Sequence, residues 1–159
     1  MPQSDGSAPP GYHTVTPYLL INGAGQAIEF YKEAFGATEV LRLPGPNEGI
    51  GHAEIKVGDS RIMLADEYPD MGFEGPQTLN GTSVYIHLYV EDVDAVFDNA
   101  IHAGAKTLRP VEDRFYGDRS GSLVDPFGHV WHIATHVEDV GSEELRSRAA
   151  EVAASEEAE

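Results

Sequence analysis

Hydrophobic positions change period twice along the chain, in the same order each time. Between 14 and 22, Val15, Leu19 and Ile21 oppose Thr16, Tyr18 and Leu20, the alternation of a half-buried strand. From 24 to 35, Ala27, Ile28, Tyr31, Ala34 and Phe35 recur at helical spacing. Short apolar runs then predict strands over 38–43, 50–57 and 60–66, the last two joined at Gly58-Asp59. A loop is predicted over 67–82, where Pro69, Gly72, Gly75, Pro76 and Gly81 fall. The pattern then restarts. A strand over 83–91 leads into a helix over 93–103, with Val93, Val96, Phe97, Ala100 and Ile101 on one stripe. Strands over 106–110, 119–125 and 129–136 follow, the last two joined at Pro126-Phe127-Gly128.

The restart is an internal repeat. With Tyr18 to Arg42 set over Ile86 to Pro110, Ala27 meets Ala95, Ile28 meets Val96, and Val40 meets Leu108. Gly36-Ala37 meets Gly104-Ala105, and each glycine suits a left-handed helix end. The implied fold is α+β, two tandem βαβββ modules forming curled mixed sheets around a cavity. Module one spans 14–67 and module two spans 83–136, within an ordered domain over 12–137. Residues 1–11, rich in Pro, Gly and Ser, are expected to be a disordered N-terminal tail. Residues 138–159 read as an acidic tail with a short helix starting near Ser142 and a frayed end from Ala153.

Strand parity locates candidate chemistry. Val84, Ile86, Leu88 and Val90 form an apolar face, which leaves Tyr85, His87 and Tyr89 on the other. In the last strand Trp131 and Ile133 point one way, His132 the other. The faces turned from the helices thus carry Tyr18, Tyr85, His87, Tyr89 and His132, aromatic groups with polar tips that suit a partly wet pocket. His132 and His87 are candidate catalytic bases, and Tyr18, Tyr85 and Tyr89 candidate binding residues. Tyr116 and Arg119 lie just before the penultimate strand; Arg119 could hold a ligand oxygen through its fork, or pair with a nearby acid. His52 and Glu54 share a strand face, and Glu54 with His87 and His132 could supply three metal donors. Trp131 is assigned to the core and His129 to an exposed position or a turn cap.

At this level the residues resemble a known family. The segment Ala27-Ile28-Glu29-Phe30-Tyr31-Lys32-Glu33-Ala34-Phe35-Gly36-Ala37 and the turn Asp125-Pro126-Phe127-Gly128-His129 are similar to the vicinal oxygen chelate superfamily. That group includes glyoxalase I, extradiol dioxygenases, and fosfomycin and bleomycin resistance proteins. Val15-Thr16-Pro17-Tyr18-Leu19, Ile62-Met63-Leu64-Ala65-Asp66-Glu67 and Tyr116-Gly117-Asp118-Arg119-Ser120-Gly121 resemble its PhnB-like, glyoxalase-related subgroup. The resemblance implies a divalent metal, held by one residue from each of four strands, that chelates substrate oxygens. Aligned on the helix and turn, the four positions fall on Thr16, Met63, Tyr85 and His132. Only His132 is a good ligand, so the cofactor expectation is none or a divalent metal at His132.

Composition narrows the rest. The net charge of −17 argues against nucleic acid and anionic membrane as partners. No apolar run reaches the length of a membrane span, and no secretory signal is visible, so a cytoplasmic location is expected. With no cysteine there is no thiol chemistry. No P-loop, GxGxxG or nucleophile-elbow motif occurs, so a nucleotide cofactor is not expected. The expected partners are a small-molecule ligand and a second copy in a homodimer, which would cover strand edges. Two function classes stay open. One is a lyase, isomerase or dioxygenase acting on a small oxygenated metabolite. The other is a non-catalytic sequestration protein of the bleomycin resistance type.

Overall fold

In a computed structural model, residues 6–157 are described. Module one runs β1 (Tyr18–Ile21), α1 (Ala24–Phe35), β2 (Thr38–Pro44), β3 (Ile50–Val57) and β4 (Ser60–Asp66). After a single-turn helix, α2 (Pro76–Leu79), module two runs β5 (Tyr85–Tyr89), α3 (Val93–His102), β6 (Lys106–Asp113), β7 (Asp118–Val124) and β8 (Val130–His136). Each module folds one mixed four-stranded sheet in the same order, β1-β4-β3-β2 and β5-β8-β7-β6. The α+β tandem architecture therefore stands. The sheets do not close on each other within the chain. Instead β1 and β5 flank a cleft of about 530 Å³.

One apolar core serves both modules. α1 buries Ala24, Ala27, Ile28, Phe30, Tyr31 and Ala34, and ends at Gly36, whose φ of 69° is the left-handed cap its missing side chain permits. α3 buries Val93, Phe97 and Ala100 and packs on α1. Trp131 is fully buried against Tyr31 and Phe35, as the parity argument required. The polar centre of this core is Asp125. It accepts hydrogen bonds from Tyr31 Oη at 2.6 Å, Trp131 Nε1 at 2.9 Å, and the Phe127 and His129 amides. Tyr31 belongs to module one and Asp125 to module two, so this carboxylate joins them. Burial and the adjacent charge push the Tyr31 phenol well above its usual range.

Several sequence expectations need correction. Strand β1 begins only at Tyr18, because Pro17 lacks an amide hydrogen; Val15 is 83% exposed rather than helix-facing. Likewise β5 begins at Tyr85 and Val84 is exposed. The 67–82 loop contains two turns of helix, Pro69–Met71 and α2. His129 is buried, with Nε2 donating to the Leu20 carbonyl at 3.1 Å, a second link between modules. The repeat also shifts by one in its strands. Tyr18 pairs with Met63 and His87 with His132, and both members of one pair lie 69 positions from their counterparts. An odd correction exchanges the two faces of a strand, so Tyr18 corresponds to His87 and not to Ile86.

Of the tails, residues 1–5 lie outside the described residues; 6–11 form bends and a turn. The C-terminal helix is long: α4 spans Ser142–Glu157, including Ala153, where fraying was expected. Arg148 anchors it through Glu138 and the Phe115 carbonyl. Among the described residues no helix is long and apolar enough to cross a membrane.

Candidate functional site

The face of each sheet opposite the helices is open, and the two open faces differ in kind. On module two, the parallel pairing of β5 and β8 sets His87 beside His132, with ring centroids 4.8 Å apart. Tyr89 packs on His87 at 4.6 Å. Ser122 lies across the β7–β8 register and its hydroxyl meets His132 Nδ1 at 2.7 Å. Tyr85, Leu108, Arg109, Ser122 and His132 line a shallow cleft of about 300 Å³. Partial burial first, and then His87, hold the His132 imidazole below its usual pKa, so it favours the neutral form. At the far end of the face, burial and the nearby Asp118 carboxylate raise the Tyr89 phenol. Tyr116 sits 3.4 Å from the Ser120 hydroxyl. Tyr85, His87, Tyr89 and His132 are thus brought together, with Tyr116 beyond them.

Tyr18 lies elsewhere, on module one. Tyr18 and Leu20 of β1, Ala65 of β4, and Ile50 and Gly51 of β3 floor a cavity of about 570 Å³. The loops carrying Asn47, Tyr68 and Phe73 form its walls. This is the size range of drug-like ligand sites. Its two carboxylates already have structural work. Asp66 accepts from the Gly23 and Ala24 amides at the start of α1 and from Ile50. Glu67 accepts from the Gly75 amide and the Thr78 hydroxyl. Apart from Asn47 and the Tyr18 and Tyr68 hydroxyls, what remains toward the cavity is apolar and aromatic. Sequence reasoning did not single out this cavity, because its walls are loop residues with no periodic signature.

Arg119 has a different job from anion binding. It sits on the helix side of β7, where Nε and Nη2 donate to Asp94 of α3 at 2.8 and 3.0 Å and Nη1 donates to Asp113. A guanidinium already spanning two carboxylates has no donor face to offer the open side. The expected grouping of Glu54 with His87 and His132 is not formed either: Glu54 is taken by Tyr12 and by His52, at 2.9 Å from Nε2.

The metal positions implied by the family do not fit the donor set. Met63 faces the open side beside Tyr18, where a thioether is a poor partner for a hard cation, and Thr16 is a weak one. Among the described residues no group of three or more His, Asp or Glu side chains is arranged to hold a metal ion.

The sequence pattern of the Glyoxalase/Bleomycin resistance protein/Dioxygenase superfamily matches residues 13–142. The chain belongs to this superfamily. An uncharacterized protein of Mycobacterium tuberculosis is 41% identical over 136 residues, covering 84% of this chain and 80% of the relative. The crystal structure of TioX from a Micromonospora species superposes with a TM-score of 0.62 at 26% identity, covering 77% of this chain and 98% of TioX. TnmS3, an antibiotic binding protein from a Streptomyces species, superposes at 0.59 with 20% identity, covering 78% and 95%; at that identity the likeness is one of fold.

Proposed function

We propose that this superfamily member binds a small, largely apolar molecule bearing oxygen or nitrogen groups, without resident metal chemistry. The observation that carries the reading is the module-one cavity of about 570 Å³, bordered by Tyr18, Tyr68 and Phe73, on a scaffold where two of the four family metal positions hold Thr16 and Met63. Sequestration is the function this favours. TnmS3, named for antibiotic binding, supports it only to the extent that the same fold can serve ligand capture. A second reading rests on one observation. His132, held neutral beside Ser122 and His87, is suited to accept a proton, as a lyase, isomerase or dioxygenase would require. Tyr85, Tyr89 and Tyr116 would then bind substrate.

Placement in the PhnB-like subgroup rests on the motifs around Tyr18, Met63 and Tyr116. A homodimer completes the proposal: β2 is exposed along its whole length, and Val40, Leu41, Leu43 and Leu108 present apolar side chains on the outer strands of both sheets. A second copy would cover them.

Elemental analysis and native mass spectrometry of protein purified without chelator test the reading. The expected result is a dimer with no stoichiometric metal that retains an added aromatic ligand. Stoichiometric Zn, Ni, Mn or Fe that is lost in His132→Ala overturns it in favour of the metalloenzyme class.

A further inference from the structure

Four side chains from three separate segments form one hydrogen-bonded row that ends at the module-one cavity. Tyr12, in the segment before β1, donates its hydroxyl to Glu54 Oε1. Glu54 Oε2 meets His52 Nε2 at 2.9 Å. His52 Nδ1 meets the Tyr18 hydroxyl at 3.0 Å, with the rings 5.5 Å apart. His52 and Glu54 share the open face of β3 because they are two residues apart. Tyr18 reaches the same face from β1, and its ring also borders the cavity.

The donor and acceptor inventory sets the direction of this chain for an uncharged His52 ring. An ionised carboxylate only accepts, so the His52 proton sits on Nε2, facing Glu54. In that uncharged tautomer Nδ1 is bare and must accept. Among the described residues, its hydrogen-bond partner is the Tyr18 hydroxyl, which supplies the proton. With its hydrogen turned inward to His52, the Tyr18 oxygen can offer the cavity only lone pairs. Tyr12 holds the other carboxylate oxygen, so Glu54 is restrained from both sides.

We propose that Tyr12, Glu54 and His52 position Tyr18 as a hydrogen-bond acceptor toward the module-one cavity, so that the cavity selects molecules pairing an apolar body with an N–H or O–H donor. This rests on the binding reading above and narrows it to a ligand class. Tyr18 is the contacting residue; His52, Glu54 and Tyr12 are positioning residues. A ligand that offers only an acceptor meets lone pair against lone pair and forfeits the bond, while a donor completes the chain.

Indole and N-methylindole make a matched pair of probes that differ in one donor. NMR titration of the full chain at mildly alkaline pH reads both affinities. The wild-type chain should bind indole about five- to tenfold more tightly, the range expected when one partly exposed hydrogen bond is made or lost. Tyr18→Phe should bring the two within twofold by weakening indole alone. Glu54→Gln should narrow the gap as well, because a carboxamide can donate to Nε2 and release the inward hold on Tyr18. Nitrogen-correlated NMR of the histidine rings adds a ligand-free readout: the His52 Nδ1 signal should lack a proton and move in Tyr18→Phe. If both probes bind the wild type equally, or Tyr18→Phe leaves the His52 signal unmoved, the relay is wrong and the cavity reading survives. If neither probe binds the folded chain, the cavity reading falls and the relay falls with it.

Discussion

The two modules are built on one plan and finished differently. Where module one has Tyr18 paired with Met63, module two has His87 paired with His132. Where β3 sets Glu54 opposite Met63, β7 sets Ser122 opposite His132. Module one therefore carries a Tyr12–Glu54–His52–Tyr18 relay that ends at a cavity of about 570 Å³, and module two an imidazole pair beside a cleft of about 300 Å³. The helix side keeps one feature in common. Asp66 at the end of β4 accepts from the first amides of α1, and Thr135, 69 positions later on β8, accepts from the first amide of α3. The contrast shows which constraints act where. A helix start needs its free amides satisfied whatever the module does, whereas an open face answers only to what lies on it.

The largest expected effect falls on what the modules share. Asp125 receives four hydrogen bonds inside the core, and Tyr31 and Trp131 approach it from different modules. Asp125→Ala leaves a buried phenol, an indole N–H and two amides to be satisfied elsewhere. A loss on the order of 3 kcal/mol or more is expected in urea unfolding. If the modules were independent units, the transition would instead split in two, with module one unaffected. A single, earlier transition supports one shared core.

The next effect separates the open faces. Phe73→Ala removes one aromatic wall of the module-one cavity and should weaken indole binding about fivefold, within the range of aromatic contacts. His132→Ala should leave indole binding unchanged, because His132 lines the module-two cleft and not the cavity. The reverse ranking would move the ligand to module two and break the comparison as drawn.

The sequence revealed the scaffold more fully than the site, for physical reasons. Burial on one face imposes a period, so the long helix of each module, the strands that follow and the core position of Trp131 can be read from spacing. The same alternation correctly put Tyr85, His87, Tyr89 and His132 on one face. Alternation does not report which sheets face each other. Tyr18 was grouped with the module-two residues although it belongs to a separate face. Nor does it report partners that depend on three-dimensional approach. Arg119 met Asp94 across a helix–strand contact 25 residues away in sequence, and Tyr12 met Glu54 across 42. Asp125 was visible only as part of a turn motif, although its larger role is as the acceptor for Tyr31 and Trp131.

The smallest effect concerns two histidines on β8 that should respond to pH with opposite signs. His132 is partly buried beside His87, which keeps its folded pKa below the ordinary value of about 6.5. The folded state thus binds a proton there less readily than the unfolded chain. The stabilising contribution is complete above the unfolded pKa and is lost as pH falls through the folded one. His136 lies between Asp118 and Asp139, at 2.7 Å from each, and its folded pKa is raised. Its contribution is complete below the unfolded pKa and is lost as pH rises through the folded one. Urea unfolding across this range should show a shallow maximum. His132→Asn should flatten its acid side and His136→Asn its alkaline side, with the His136 effect the weaker because the His136 ring is half exposed and its second partner, Asp139, lies in solvent where the pair is screened. NMR titration of both rings checks the order directly: His132 should titrate first from the acid end, and His136 last. The opposite order would mean that His87 and burial do not set the chemistry of the module-two face, and would leave His132 an ordinary surface histidine.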